Sequence, residues 1–437
     1  MTAGTWRRFL LAGLCAAASL RLAGLAWSYA RDVLQIDLAA YVTAGEAVAH
    51  GLDPYRTHPD RVPPVWDGKS EYRHSRFLYP PLVAVLFRPL AALPYSVAKG
   101  LFTLLSLAAL LGATLLLWRE TLARAPDRLL LLLALLASAF PVLTLLERGQ
   151  VDAFTLLLLV LAFRPALQGR APGVVSGMLL ALATLLKLNV AYLALFFALR
   201  RFRRGLLGLA IGGTALVALG ALVHGPERLV KYATEELPRI SRYGEGGTPA
   251  MRLDEETLGR LRGEVPEGFA RKDDRTYRVE ALSFAANASG ARSLAHLLEF
   301  RRPRAVMAPL SLAILGASLL FTAWAIRGRP LSAGPEELAF FAMALAAVLL
   351  AGPLTWVMNV VWLVAGGVLL AVAAPGAGRE ERWSLAGVAL GLTLAWIPDQ
   401  YALAPLLGGA TPPLGDVKYV VAEALVLLSI GAWLRTR

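Results

Sequence analysis

The 437-residue chain is 57% hydrophobic and 17% charged, against roughly 45–50% and about 25% in an ordinary soluble domain. This excludes a cytosolic enzyme, a disordered chain and a disulfide-built scaffold, and the single cysteine, Cys15, leaves no intramolecular disulfide to form. The net charge of +13 is read as cationic cytoplasmic loops that orient membrane helices, with no nucleic-acid partner expected.

Arg7 and Arg8 precede the apolar run Phe9–Tyr29. At about 20 residues it exceeds the ~7–15 of a signal-peptide core, so it is expected to remain as the first membrane helix. Further full-length spans are expected at 96–118, 129–146, 172–189, 205–224, 305–326, 335–352, 356–375, 383–400 and 417–434, with shorter ones at 152–163 and 189–199. The apolar stretch Tyr79–Leu93 is interrupted by Pro80, Pro81, Arg88 and Pro89 and is read as a surface or re-entrant helix. With that choice every short basic loop falls on the side of Arg7 and Arg8: Arg119 to Arg128, Arg164/Arg170, Arg200 to Arg204, Arg327/Arg329, Arg379/Arg382 and Arg435/Arg437. The expectation is a single all-α polytopic membrane domain over 1–437 with about twelve spans and both termini inside. The two long segments 31–78 and 225–304 and a turn at 401–416 are then external. Loops this long usually carry function or structure of their own.

Polar residues inside such a chain mark candidate sites. Asp37, just after the first helix in Ile36-Asp37-Leu38-Ala39-Ala40-Tyr41, has two readings: general base at a membrane–water boundary, or helix N-cap. Asp53-Pro54-Tyr55 reads as turn chemistry. Tyr79, ahead of Pro80-Pro81, is either an interfacial anchor or a pocket residue. Glu147-Arg148-Gly149-Gln150-Val151-Asp152 joins two apolar segments. It either lines a wet cavity with Glu147, Gln150 and Asp152, or is a tight turn in which Glu147 and Arg148 pair. Lys187, followed by Asn189, either snorkels to the interface or faces a phosphate as a point charge. The five histidines show no metal-ligand spacing, and no Gly-rich nucleotide motif stands in a strand–helix context. A membrane-embedded activated donor therefore suits the chain better than a cytosolic nucleotide sugar.

In order along the chain stand Asp37-Leu38-Ala39-Ala40-Tyr41, Gly51-Leu52-Asp53-Pro54-Tyr55, Tyr79-Pro80-Pro81 with Arg88-Pro89-Leu90 and Leu93-Pro94, Gly149-Gln150-Val151-Asp152, Gly177-Met178-Leu179-Leu180 running to Lys187, and Pro353-Leu354-Thr355-Trp356. This series resembles glycosyltransferase family 87, the polyprenyl-phosphate-mannose-dependent mannosyltransferases of GT-C fold. The resemblance implies inverting transfer of a hexose, mannose by default, from a polyprenyl-phosphate donor to a lipid or glycan acceptor. The reaction would take place on the external face of a bacterial inner membrane. It casts Asp37 as general base and Lys187 as phosphate ligand. Tyr41, Tyr79, Glu147, Gln150, Asp152, Asn189, Trp356 and Asn359 are the accompanying substrate-binding candidates, with no metal or other cofactor. Two departures from the family pattern are Leu188 in place of a proline after the lysine, and Val357-Met358-Asn359 where a histidine is usual. The competing class is a lipid or sugar transporter, which would place polar residues near the bilayer midplane in both halves.

Overall fold

Apolar runs punctuated by proline fold here as helix. A computed structural model describes residues 3–33, 35–55, 77–121, 126–238, 289–297, 303–330, 332–398 and 417–437. Among the described residues there is no strand, only an isolated bridge between Gln168 and Ala333. The helices are α1 (Ala3–Asp32), α2 (Ile36–Ala49), α3 (Pro81–Ala91), α4 (Tyr95–Glu120), α5 (Pro126–Ser138), α6 (Phe140–Arg148), α7 (Asp152–Leu167), α8 (Val174–Leu186), α9 (Leu193–Leu199), α10 (Arg203–His224), α11 (Pro226–Lys231), α12 (Gly290–Leu297), α13 (Pro303–Ala325), α14 (Pro335–Ala351), α15 (Val364–Ala373), α16 (Arg379–Trp396) and α17 (Lys418–Thr436). Short 3-10 helices, Leu188–Tyr192 and Val357–Leu363, lead into α9 and α15. Prolines open α3, α6, α11 and α14, where a missing N–H costs nothing.

Six helices among the described residues are long and apolar enough to cross a membrane: Thr5–Asp32, Tyr95–Glu120, Arg203–His224, Val306–Ala325, Val357–Gly376 and Lys418–Thr436. The pair α5 and α6, bent by 51° at its break, makes a seventh when counted as one span. Pro141 in the first turn of α6 accounts for the break. The remaining expected spans are helical but shorter or less apolar. Helix α7 has 16 residues, α8 13 and α14 17, below the ~20 that cross hydrocarbon alone. For α14 burial explains the difference: every residue from Glu337 to Ala351 is buried, so protein rather than lipid surrounds it. The stretch 79–93 forms α3, which packs its Phe87 ring 4.7 Å from that of Tyr41 on α2. Of the two long segments expected outside, 31–78 carries α2 and 225–304 carries α11 and α12. Residues 56–76, 239–288 and all of 401–416 lie outside the described residues.

Helix α14 is the hub of the core, with Phe341 against Phe163 of α7 at 4.6 Å between ring centroids and Phe340 near Phe196 of α9. Helices α8 and α10 meet through glycine. A Cβ at Gly177 would overlap the Gly205 carbonyl, and one at Gly208 the carbonyl of Val174. Small residues let backbones approach in this way where lipid gives no hydrophobic drive to helix pairing.

The short basic loops converge on one end of the bundle. Arg8 pairs with Asp127 at 3.1 Å and Arg164 with Glu120 at 2.7 Å. The Gly334 amide donates to the Leu167 carbonyl. Arg200 pairs with buried Glu337 and donates to the Arg329 carbonyl, Arg329 donates to Leu434, and Arg437 reaches Glu381 at 2.9 Å.

Candidate active site

At the other end of α7, four helix ends point their charges at one another. Asp37 lies in the first turn of α2 and Asp152 opens α7. Arg148 closes α6, and Lys187 follows the last residue of α8. Each sign matches its helix dipole, acid at an N-terminus and base at a C-terminus. The Arg148 guanidinium grips Asp37 with both prongs, Nε to Oδ2 at 2.6 Å and Nη2 to Oδ1 at 3.1 Å. Gln150 Nε2 donates to the same Oδ2 at 2.7 Å. Asp37 is buried, and it is not the helix cap: Gln35, with a left-handed backbone, holds that position. The Gln35 amide ties the start of α2 to Thr103 of α4 and to the Leu146 carbonyl of α6.

Gly149 makes this geometry possible. It ends α6 at φ 70°, and a Cβ there would stand 2.6 Å from Cβ of Leu38. Only glycine accepts both the left-handed turn and the close approach to α2. The turn thereby delivers Arg148 and Gln150 to opposite sides of it, both against Asp37.

Gln150 is the bridge to the second ion pair. Its Oε1 accepts from Tyr41 at 3.1 Å, from Tyr79 at 3.4 Å and from Lys187 Nζ at 3.2 Å. The two tyrosine hydroxyls are 2.8 Å apart. Burial pushes the Tyr41 and Tyr79 hydroxyls above the ordinary tyrosine range, so both stay neutral donors. Lys187 pairs with Asp152 Oδ2 at 3.2 Å. Asp152, wholly buried, also accepts from Asn359 Nδ2, while its backbone carbonyl accepts from Trp362 Nε1. Asn359 Oδ1 accepts the Trp356 amide at 2.7 Å and so starts the 3-10 helix Val357–Leu363. Lys187 stands in extended backbone at the break between α8 and the 3-10 turn Leu188–Tyr192. The helix is interrupted there with Leu188 in the place where the family pattern has proline. Such broken helices occur at membrane depth only where protein or a cavity satisfies the freed backbone.

The structure thus brings together Asp37, Tyr41, Tyr79, Gln150, Asp152, Lys187 and Asn359, with Trp356 joined through its backbone. Asn189 sits beside them. Its Nδ2 is buried without a hydrogen-bond partner among the described residues, near the point where a Cβ on Gly352 would lie. Glu147 is exposed at the end of α6. Tyr79 and Gln150 are hydrogen-bonded within this cluster, and Lys187 is ion-paired with Asp152. Arg148 was missed as a site residue because Glu147 beside it offered a ready partner; the signal that could have found it is the glycine after it. Asp53 makes the expected turn, accepting the Tyr55 amide, and adds a 2.7 Å pair with Lys231. That pair joins the two long segments above α2, where the Tyr55 and Tyr232 rings also stack.

A helical membrane protein with paired carboxylates and cations buried at a junction of helix ends has the equipment of a membrane-embedded transferase: a proton acceptor, oriented hydroxyls and cations for a leaving group. Residues 77–358 match the family model for glycosyltransferase family 87, and the chain belongs to that family. Two relatives carry the printed name polyprenol-phosphate-mannose-dependent alpha-(1-2)-phosphatidylinositol mannoside mannosyltransferase. The one from Mycolicibacterium smegmatis is 28% identical over 423 residues, covering 90% of this chain and 81% of its own length. The one from Mycobacterium tuberculosis is 29% identical over 340 residues, covering 74% and 68%. Family membership makes the chain a membrane glycosyltransferase and favours the enzyme over the transporter reading.

Proposed function

We propose that this enzyme transfers mannose from polyprenyl-phosphate-mannose to a lipid or glycan acceptor, with inversion, at the cluster running from Asp37 to Asn359. The observation that carries this reading is the convergence of both ion pairs on Gln150. It holds a carboxylate, two neutral hydroxyls and a lysine within one hydrogen-bonded unit. Asp37 removes the proton of the acceptor hydroxyl as that oxygen attacks the anomeric carbon, and the polyprenyl phosphate leaves. Oδ2 of Asp37 already takes two hydrogen bonds and Oδ1 one, so Oδ1 is the oxygen assigned to the proton. Lys187 supplies charge to the departing phosphate, held in place by Asp152. The unsatisfied Asn189 amide and the half-buried Tyr79 and Trp356 are assigned to donor contacts. Glu147, exposed at the end of α6, is given no role in this assignment. The named relatives make an inositol phospholipid bearing mannose the first acceptor to try. Purified enzyme, given the mannosyl donor and such an acceptor, should yield a product one hexose heavier by mass spectrometry. No product from any lipid or glycan acceptor, with folded protein and intact donor, overturns the reading.

The bidentate grip on Asp37 gives a further expectation. Arg148→Lys keeps the charge but loses the planar fork. Turnover should fall about tenfold, the loss of roughly one hydrogen bond to a charged group, with donor affinity little changed. Turnover equal to the parent enzyme would show that the fork does not orient the base.

The site is assigned to the external face of a chain of about twelve spans, because the basic loops, gathered at the opposite end, vote for the cytoplasm. In a Cys15→Ala background, membrane-impermeant thiol reagents applied from outside should label Ser70→Cys and Ser241→Cys but not Arg203→Cys or Arg437→Cys. Outside labelling of Arg203→Cys would invert the assignment.

A further inference from the structure

At the end of the bundle away from the transferase site lies a cleft of about 590 Å³. It is lined by Arg200, Arg201, Arg327 and Arg329 together with apolar side chains that include Leu199 and Ile326, and no acidic residue lines it. Two of its arginines are engaged: Arg200 with Glu337 and the Arg329 carbonyl, Arg329 with Glu336 and the Leu434 carbonyl. The other two, Arg201 and Arg327, are exposed and have no side-chain partner among the described residues. Arg201 is the left-handed residue, φ 57°, that closes α9, with the Phe202 amide donating to the Phe197 carbonyl.

The position of the cleft is as informative as its lining. It opens where α10 begins and α13 ends, and both are helices long and apolar enough to cross a membrane. The cleft thus lies at the ends of two membrane-length helices, with guanidinium and apolar groups side by side in its lining. A loop that only sets orientation needs positive charge on that side; it needs no cleft in which two unpaired guanidinia share one lining. Guanidinium groups match phosphate oxygens in pairs, and the apolar wall suits the glycerol and upper acyl chains of a lipid more than a free anion.

We infer that this cleft binds the phosphate of an anionic membrane phospholipid, with Arg201 and Arg327 as its ligands. The site is separate from the transferase cluster and independent of how that cluster works. The test is native mass spectrometry of the detergent-purified full chain, equilibrated with phosphatidylglycerol or with phosphatidylcholine. The parent protein should retain phosphatidylglycerol in preference to phosphatidylcholine. In Arg201→Gln/Arg327→Gln the retained phosphatidylglycerol should drop at least about tenfold, the scale of losing hydrogen bonds to charged groups. The control Arg203→Gln/Arg204→Gln, at exposed arginines outside the cleft, should retain it as the parent does. Should the helix-closing Arg201 position not tolerate change, Arg327→Gln alone carries the test and should still lose retention. Equal retention in parent and variants, or equal retention of the two lipids, overturns the inference. Displacement of the lipid by millimolar inorganic phosphate would overturn the lipid assignment in favour of a free-anion site.

Discussion

Asp37→Asn should lower the rate of sugar transfer at least about 10²-fold, in line with the contribution of a positioned general base. The substitution keeps the size of the side chain and removes its ability to take a proton. It also changes local bonding in a way the structure makes explicit. All three contacts to Asp37 are donors, two from Arg148 and one from Gln150, and an amide can meet them with one oxygen only. Some loosening of the turn at Gly149 is therefore expected alongside the chemical loss. Measuring donor affinity and thermal stability in the same variant separates the two. A lost base leaves donor binding largely intact, whereas a purely structural role would lower affinity, stability and rate together. Parent-like activity in Asp37→Asn would move the base to another group, with Asp152 the nearest carboxylate in the network.

Lys187→Met should weaken binding of the polyprenyl-phosphate sugar by about 1.5–3 kcal/mol, the scale of a hydrogen bond to a charged group. The structure adds a second consequence that the sequence did not suggest. Lys187 is the cationic partner of Asp152, which is wholly buried. Removing one member of a buried pair strands the other, at a cost of about 3–5 kcal/mol of stability. The single variant should therefore express poorly as well as bind poorly. Asp152→Asn/Lys187→Met removes both charges and keeps an acceptor for the Asn359 amide. It should recover most of the stability, since a buried pair is often replaceable by neutral groups, while donor affinity stays low. If the double variant binds donor as the parent does, the lysine serves only to neutralise Asp152 and the phosphate ligand lies elsewhere.

Much of the candidate site is legible in sequence because its members lie in short polar segments set into an apolar chain. Asp37, Tyr79, Gln150, Asp152 and Lys187 could each be singled out as polar residues in apolar surroundings. Their partners could not. The Arg148–Asp37 and Lys187–Asp152 pairs join separate helices, and nothing local in either segment states which distant charge will meet it. The helices were legible from apolar runs, but hydropathy does not separate a helix wrapped in protein from one bathed in lipid. Helix α14 reads as a membrane span in sequence and is an almost fully buried core element. The break after Leu186 coincides with the polar pair Lys187 and Asn189, which interrupts the apolar run in sequence.

Asp37 and Asp152 are matched one to one by Arg148 and Lys187, so the cluster is formally neutral before anything binds. A neutral cluster exerts little long-range pull on dissolved phosphates, whatever its affinity at contact. In the proposed reaction, recruitment then falls to the hydrocarbon tail of the donor, which confines it to two dimensions and raises its local concentration without electrostatic help. Turnover at fixed donor density in the bilayer should accordingly be nearly flat with added salt, because there is no unscreened attraction for the Debye atmosphere to weaken. Water-soluble phosphosugars sharing the headgroup should compete poorly for the same reason.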